Sequence, residues 1–88
     1  MKWNIDTNFD AEYLQQFGRR IDSLAGAGED VTLDLSSVTF IDSTGIGALV
    51  ALHKKLTASG HRLKISGLRG QPLQLFINLK LIPLFCGG

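Results

Sequence analysis

Polar and apolar residues alternate in three short stretches of this chain, at residues 1–6, 31–36 and 62–66. Alternation over four to eight residues is typical of a β-strand with one buried face, so we predict three strands. Their inward-facing side chains would be Trp3 and Ile5 in the first strand, Val31, Leu33 and Leu35 in the second, and Leu63 and Ile65 in the third.

Between these strands, apolar residues recur with the period of an amphipathic α-helix. The pattern predicts a first helix over residues 9–24, with a start signal at Thr7 and Asn8. It predicts a second helix from the 42–45 turn to about residue 59, stopped by Gly60. Each helix would lay its apolar side on the sheet.

The end of the chain, from residue 67 onward, predicts a loop, a short helix and a closing apolar segment. Residues 67–71 read as a loop, and Pro72 is suited to the first turn of a short third helix, where its missing N–H group is not needed. The buried face of that helix would consist of Leu73, Phe76 and Ile77. Residues 79–85 are predicted to close the core as an extended segment.

Strands that alternate with helices predict an α/β fold with a mostly parallel sheet. Parallel strands covered on both faces are apolar throughout, whereas these strands alternate. The helices should therefore lie chiefly on one face, and the other face should meet solvent or a partner. At 88 residues we expect one small domain over residues 1–88.

Charge and composition exclude several functions. Nine Lys plus Arg balance eight Asp plus Glu, which leaves no basic face for a nucleic acid. The single cysteine, Cys86, reads as an incidental thiol, and no Cys/His cluster has metal-binding spacing, so neither a metal nor a cofactor is expected. We find no secretory signal and no apolar run that could insert into a membrane, which predicts a cytoplasmic location.

The turn Asp42-Ser43-Thr44-Gly45 is the segment with the clearest chemistry. A serine at the start of a helix is exposed beside free N–H groups, and a phosphate there is favoured by the helix dipole. Such a phosphate adds about −1.5 to −2 charges next to Asp42. The simpler interpretation is that Ser43 or Asp42 only caps the helix.

A catalytic role for this turn is not expected. The sequence lacks a complete phosphate loop, because Gly45-Ile46-Gly47 has no Gly-Lys-Ser/Thr around it. His53 lies about 15 Å from Ser43 along the same helix, so it cannot act as its base. We interpret His53 as a histidine packed at the core boundary, and Asp34 as a residue of the solvent face or a loop brace.

Small residues follow the turn along the second helix. The outer side of this helix would carry small residues, namely Gly45, Gly47, Ala48 and Ala51. The backbone of a partner could therefore approach it closely. We therefore predict a partner surface made of the turn and this helix side: Asp42, Thr44, Gly45, Gly47, Ala48 and Ala51, around Ser43.

The stretch from Val31 to Leu52 resembles the STAS domain, a family named for sulfate transporters and anti-sigma factor antagonists. The family has a strand ending in Asp-Leu-Ser, then an apolar link, then Asp-Ser-Ser/Thr-Gly-Leu/Ile-Gly at a helix start. The corresponding residues here are Asp34-Leu35-Ser36, then 38–41, then Asp42-Ser43-Thr44-Gly45-Ile46-Gly47. The resemblance extends from the first helix to about Phe85.

This resemblance implies phosphorylation-controlled partner switching in bacterial transcription regulation, without enzyme activity of the chain itself. Ser43 would be phosphorylated by a serine kinase of the histidine-kinase-like ATPase fold that is also an anti-sigma factor. The unmodified domain would bind that kinase, and a phosphatase would reset the switch. The alternative is a STAS subunit that docks on a membrane transport or other signalling complex without being phosphorylated.

Two departures from the family concern the ends of the chain. Most members have an extra strand before the one that begins here at Met1, and a helix after the position of Phe85. We expect a STAS-like fold without the usual first strand and last helix. The strand at residues 2–6 would then be a sheet edge that pairs weakly with a second copy, as a symmetric homodimer.

Overall fold

The computed structural model describes residues 1–85, which form three β-strands, four α-helices and one turn of 3-10 helix. The elements follow in the order β1 (Lys2–Asn4), α1 (Ala11–Ser23), the 3-10 turn (Leu24–Gly26), β2 (Val31–Asp34), α2 (Ser43–Ala58), β3 (Leu63–Ser66), α3 (Gly70–Asn78) and α4 (Ile82–Phe85). The predicted third strand and second helix agree with this order to within one or two residues.

The three strands pair in parallel, in the order β1-β2-β3. Trp3 lies opposite Leu33, and Leu33 lies opposite Ile65, so the predicted inward residues share one face. Lys64 and Ser66 are exposed on the other face. The prediction of a parallel sheet with a single covered face is confirmed.

Helices α1 and α2 pack together over the covered face of the sheet. The core contains, among others, Ile5, Val31, Leu33 and Ile65 from the strands and their extensions, Tyr13 and Ile21 from α1, and Leu49, Leu52 and Leu56 from α2. Burying one such aliphatic side chain contributes about 1.5–3 kcal/mol to folding. The side of α2 opposite the core remains available to solvent.

The first helix begins later than predicted. Its N-cap is Asp10, whose side chain accepts a hydrogen bond from the Tyr13 N–H group, and not Thr7 or Asn8. Phe9 cannot be helical because its N–H group donates to the carbonyl of Phe40, and it forms a parallel bridge with Ile41. A contact with a distant part of the chain therefore overrides the local start signal.

Glycine ends α2 as predicted. Gly60 has a φ of 81° and its N–H group donates to the carbonyl of Thr57, while the His61 N–H group donates to that of Leu56. This Schellman pattern requires a left-handed residue, which glycine adopts without steric cost.

Lys80 ends α3 in the same way, with a φ of 58° although it is not glycine. The Leu81 N–H group donates to the carbonyl of Phe76 across this turn. The redirected chain then forms α4, so the predicted extended segment at 79–85 is wrong. The predicted burial of Ile77 is also wrong, because its side chain is 50% exposed. Cys86 lies outside the described residues.

Strand β1 occupies one edge of the described sheet. Toward β2, the carbonyl of Met1 accepts from Thr32 and the N–H group of Ile5 donates to Asp34. Alternate residues of a parallel strand bond to the same side, so the backbone groups of Lys2 and Asn4 face away from β2.

Self-association through this edge stays a prediction. We expect wild-type protein to associate reversibly at high concentration, and Asn4→Pro to associate less because proline removes an outward N–H donor. Light scattering over a concentration series measures the effect. Equal association of the two proteins, or a wild type that stays monomeric, would contradict edge pairing.

Candidate functional site

The Asp42–Gly45 turn lies where β2 and its extension lead into α2. Asp42 is the N-cap of α2, and its Oδ1 atom accepts the Gly45 N–H group at 2.9 Å. Ser43 is therefore the first helical residue and does not cap the helix. Its side chain is exposed, and within residues 1–85 its hydroxyl makes no hydrogen bond. The Asp42 side chain holds the backbone of the turn, so the serine hydroxyl remains available for reaction.

Asp42 also joins the two long helices. Its Oδ2 atom accepts the N–H group of Ala11, the first residue of α1, at 3.1 Å. The N–H group of Gly45 lowers the pKa of the Asp42 carboxyl below its usual value, and those of Ala11 and Thr44 lower it further. One ionised side chain thus accepts backbone hydrogen bonds from the first turns of both α1 and α2.

This arrangement makes part of the protein's stability depend on pH. Because folding lowers the pKa of Asp42, its stabilisation is present above the unfolded pKa, about 3.9, and is lost as the pH falls through the folded pKa. We expect Asp42→Asn to lower the melting temperature at pH 7, since one amide oxygen replaces two charged acceptors. Thermal unfolding of both proteins from pH 7 to pH 2.5 should show the difference shrinking below about pH 4. A difference that is the same at every pH would contradict this role.

The residues before the turn are held from two sides. The side-chain amide of Gln71, in α3, accepts from the N–H group of Ile41 at 2.9 Å and donates to its carbonyl at 3.0 Å. The Thr39 hydroxyl donates to the Asn8 side chain at 2.9 Å. The loops before α1 and α2 and the start of α3 therefore meet here. Sequence reasoning missed Gln71 because no local signal marks a partner 30 residues away.

Gly45 has a packing role. It is buried, and a Cβ atom built on it would lie 2.2 Å from the carbonyl oxygen of Phe9 and 2.9 Å from its ring. The turn can approach the start of α1 only if this residue lacks a side chain. The prediction that Gly45 belongs to the outer side of α2 is therefore wrong, because Gly45 lies on the inner side of the helix.

The other predicted surface residues lie on the outer side of α2. Gly47 and Ala51 are exposed, with open space where a Gly47 side chain would be, and Ala48 is half-buried against the core. Together with Ser43 and Thr44, which are also exposed, they form a stripe of small residues that runs from the turn along the helix. We call this the α2 stripe: Ser43, Thr44, Gly47, Ala48 and Ala51.

The remaining candidate residues lie away from the turn. His53 is half-buried with its ring edge-on to Phe85 at 5.3 Å, which confirms that it packs at the core boundary. Asp34 accepts the Ser36 N–H group at 2.9 Å, and this bond lowers the pKa of its carboxyl, so it braces the loop after β2 as predicted. Two concavities of about 630 and 190 Å³ are lined by residues other than Ser43.

Among residues 1–85, no helix is long and apolar enough to cross a bilayer.

This chain matches a known protein family. The model of the STAS domain matches residues 3–86. The anti-sigma-B factor antagonist of Bacillus subtilis (strain 168) is 30% identical over 73 residues, which cover 83% of this chain and 67% of that protein.

Two solved structures share the fold at 19% sequence identity. A sulfate transporter family protein from Wolinella succinogenes superposes with a TM-score of 0.74, over 92% of this chain and 66% of its own. The murine Solute Carrier 26 family member A9 anion transporter, in the inward-facing state, superposes with a TM-score of 0.76 over 98% of this chain. This chain spans only 14% of that transporter.

Proposed function

Because this chain belongs to the STAS domain family, we propose that it is a partner-switching protein controlled by phosphorylation of Ser43. In the unmodified form it binds a serine kinase of the histidine-kinase-like ATPase fold that also acts as an anti-sigma factor. Phosphorylation releases this partner, and a phosphatase restores the unmodified form. The relative named as an anti-sigma-B factor antagonist supports this choice within the family.

The main observation behind this proposal is that Asp42 caps α2, while Ser43 beside it is exposed and makes no capping bond. Because Asp42 caps α2, the Ser43 hydroxyl is not needed to hold the helix. The kinase would transfer the γ-phosphoryl group of ATP to the Ser43 Oγ atom. A new O–P bond forms, the bond between the γ-phosphorus and the bridging oxygen breaks, ADP leaves, and a base on the kinase takes the hydroxyl proton.

The phosphate would act by charge and not by refolding. It adds about −1.5 to −2 charges at an exposed position, beside a carboxylate that its hydrogen bonds keep ionised. The helix dipole at the start of α2 favours negative charge, so the fold tolerates the modification. A partner packed on the α2 stripe would meet a concentrated negative charge, which opposes binding.

We expect the α2 stripe to form the partner interface. Ala51 lies about 12 Å from Ser43 along the helix at 1.5 Å per residue and is exposed, so Ala51→Arg adds bulk without disturbing the core. It should weaken binding of the kinase about tenfold or more, measured by isothermal titration calorimetry, because a bulky charged side chain would prevent close packing on the α2 stripe. We choose Ala51 over Ala48 because Ala48 packs partly against the core.

Ala58→Arg is the matched control, because Ala58 is exposed on the same helix at its far end. It should bind like wild type. Equal binding by Ala51→Arg and wild type, with circular dichroism showing intact folds, would place the interface elsewhere.

A second candidate function is docking on a membrane transport complex without phosphorylation. One observation favours it: of the two solved structures described above, one is a sulfate transporter family protein and the other is an anion transporter. A pull-down with wild-type protein and Ser43→Asp, followed by mass spectrometry, separates the two functions. The switch predicts an ATPase of the kinase class that Ser43→Asp fails to retain. Docking predicts a transporter subunit bound equally by both.

A further inference from the structure

Phe40 presents an aromatic side chain to solvent three residues before Ser43. The side chain is 44% exposed, whereas its neighbours Val38 and Ile41 are buried. An isolated exposed apolar residue is common on protein surfaces and has no meaning by itself. Phe40 differs from such residues because hydrogen bonds fix the backbone around it.

The backbone on both sides of Phe40 is fixed. Its own carbonyl accepts the Phe9 N–H group at 3.0 Å, and the next residue, Ile41, is held at both backbone groups by Gln71. The exposed ring is therefore displayed from a rigid segment and not from a loose loop. A side chain on a rigid backbone segment loses less conformational entropy when a partner binds it.

The surroundings of Phe40 resemble those of a binding hot spot. Thr39 and Asn8 pair with each other beside it through their side chains, and Ser43 and Thr44 lie exposed after the capping residue. An aromatic anchor within a polar rim is the usual arrangement of residues that dominate an interface. Burying the exposed part of the ring requires an apolar pocket on the partner.

We propose that Phe40 is the apolar anchor by which this chain docks on the kinase that modifies Ser43. The inference rests on the proposed function. Three residues of chain span at most about 11 Å, so Phe40 lies within the footprint of about 800 Å² that a typical protein interface centred on Ser43 would have. The kinase would carry a hydrophobic pocket beside its phosphoryl-transfer site. Phe40 would contribute to recognition of the substrate protein and not to the chemical step.

Photo-crosslinking tests the contact directly. The photoreactive amino acid p-benzoylphenylalanine is placed at position 40, at position 44 inside the turn, or at position 77 on α3, where Ile77 is 50% exposed against 44% for Phe40. Each full-length protein is irradiated in lysate of the organism that encodes the chain, and products are identified by mass spectrometry. We expect positions 40 and 44, but not 77, to capture one ATPase, which when purified phosphorylates Ser43.

The other outcomes separate the two proposals. Capture of that ATPase from position 44 but not from 40 overturns the anchor and leaves the proposed function intact. Capture from position 77 as strongly as from 40 also overturns the anchor. If neither 40 nor 44 captures an ATPase, the proposed function fails, and the anchor fails with it.

Kinetics with the purified kinase test the role of the anchor. Phe40→Ala should raise the KM for this chain about tenfold or more and leave kcat within twofold, since truncating an aromatic hot spot removes binding and not chemistry. Phe40→Leu should recover part of the loss, and Ile77→Ala should behave like wild type. An unchanged KM for Phe40→Ala, or a loss confined to kcat, overturns the proposal. Circular dichroism of Phe40→Leu controls for folding.

Discussion

Gly45→Ala is expected to destabilise the protein by about 3 kcal/mol or more, because its methyl group would lie 2.2 Å from the backbone oxygen of Phe9. Backbone cannot rotate away as a flexible side chain can, so the turn and the start of α1 must separate. That movement breaks the Ala11–Asp42 hydrogen bond as well. A domain of this size is stable by only about 5–15 kcal/mol, so the loss is a large fraction of the total.

Gly47→Ala is the matched control, two residues further along the same helix. A side chain at Gly47 would meet open space, and alanine is favoured over glycine inside a helix by roughly 0.5–1 kcal/mol. Thermal unfolding should therefore show a melting temperature lowered by about 12 °C or more for Gly45→Ala and raised by a few degrees for Gly47→Ala. Similar melting temperatures for the two variants would contradict the packing role of Gly45.

Phosphoserine installed at position 43 during translation is expected to weaken binding of the kinase partner about 100-fold or more. A dianion facing a docked surface beside the ionised Asp42 costs several kcal/mol in repulsion and lost hydration. Isothermal titration calorimetry with the kinase recovered by the pull-down measures the effect. Circular dichroism should show no change in helix content.

Phosphoserine at Ser59 provides the control, because Ser59 is exposed at the opposite end of α2. It should leave the affinity within about twofold, since exposed charges more than a Debye length of about 8 Å away are largely screened. Equal weakening by both modifications would mean that the total charge, and not the position of Ser43, controls binding.

Much of this fold could be predicted from local pattern. The alternation that places Leu33 and Ile65 on one face requires only the two-residue period of a strand, and α2 requires only its apolar arc and Gly60. The Asp-Ser-Thr-Gly turn stands out in the sequence because it opens the second helix and matches the pattern of the STAS family. Such features depend on neighbours in sequence and leave a readable signal.

Features that depend on distant contacts were not predictable in this way. Phe9 looked helical, but its backbone pairs with the segment around Phe40, some 30 residues away. Gln71 looked like a loop residue, but it braces Ile41. The sequence alone places Gly45 on the outer surface, because nothing in it shows that the chain at the start of α1 packs against this residue.

The tail was mispredicted for a different reason. Its apolar residues fit either an extended segment or a helix, and the left-handed turn that decides between them falls on Lys80, which has no glycine-like preference for it. In both cases the tertiary structure supplies information that the local sequence lacks.

Phosphopeptide mapping shows directly whether Ser43 accepts the phosphoryl group. Wild-type protein, Ser43→Ala and Thr44→Ala are each incubated with the purified kinase and ATP, and the modified residue is located by tandem mass spectrometry. We expect phosphate on Ser43 in the wild type and in Thr44→Ala, and none in Ser43→Ala. Phosphate on Thr44 in the wild type, or a Ser43→Ala variant that is still phosphorylated at the wild-type rate, would contradict this expectation.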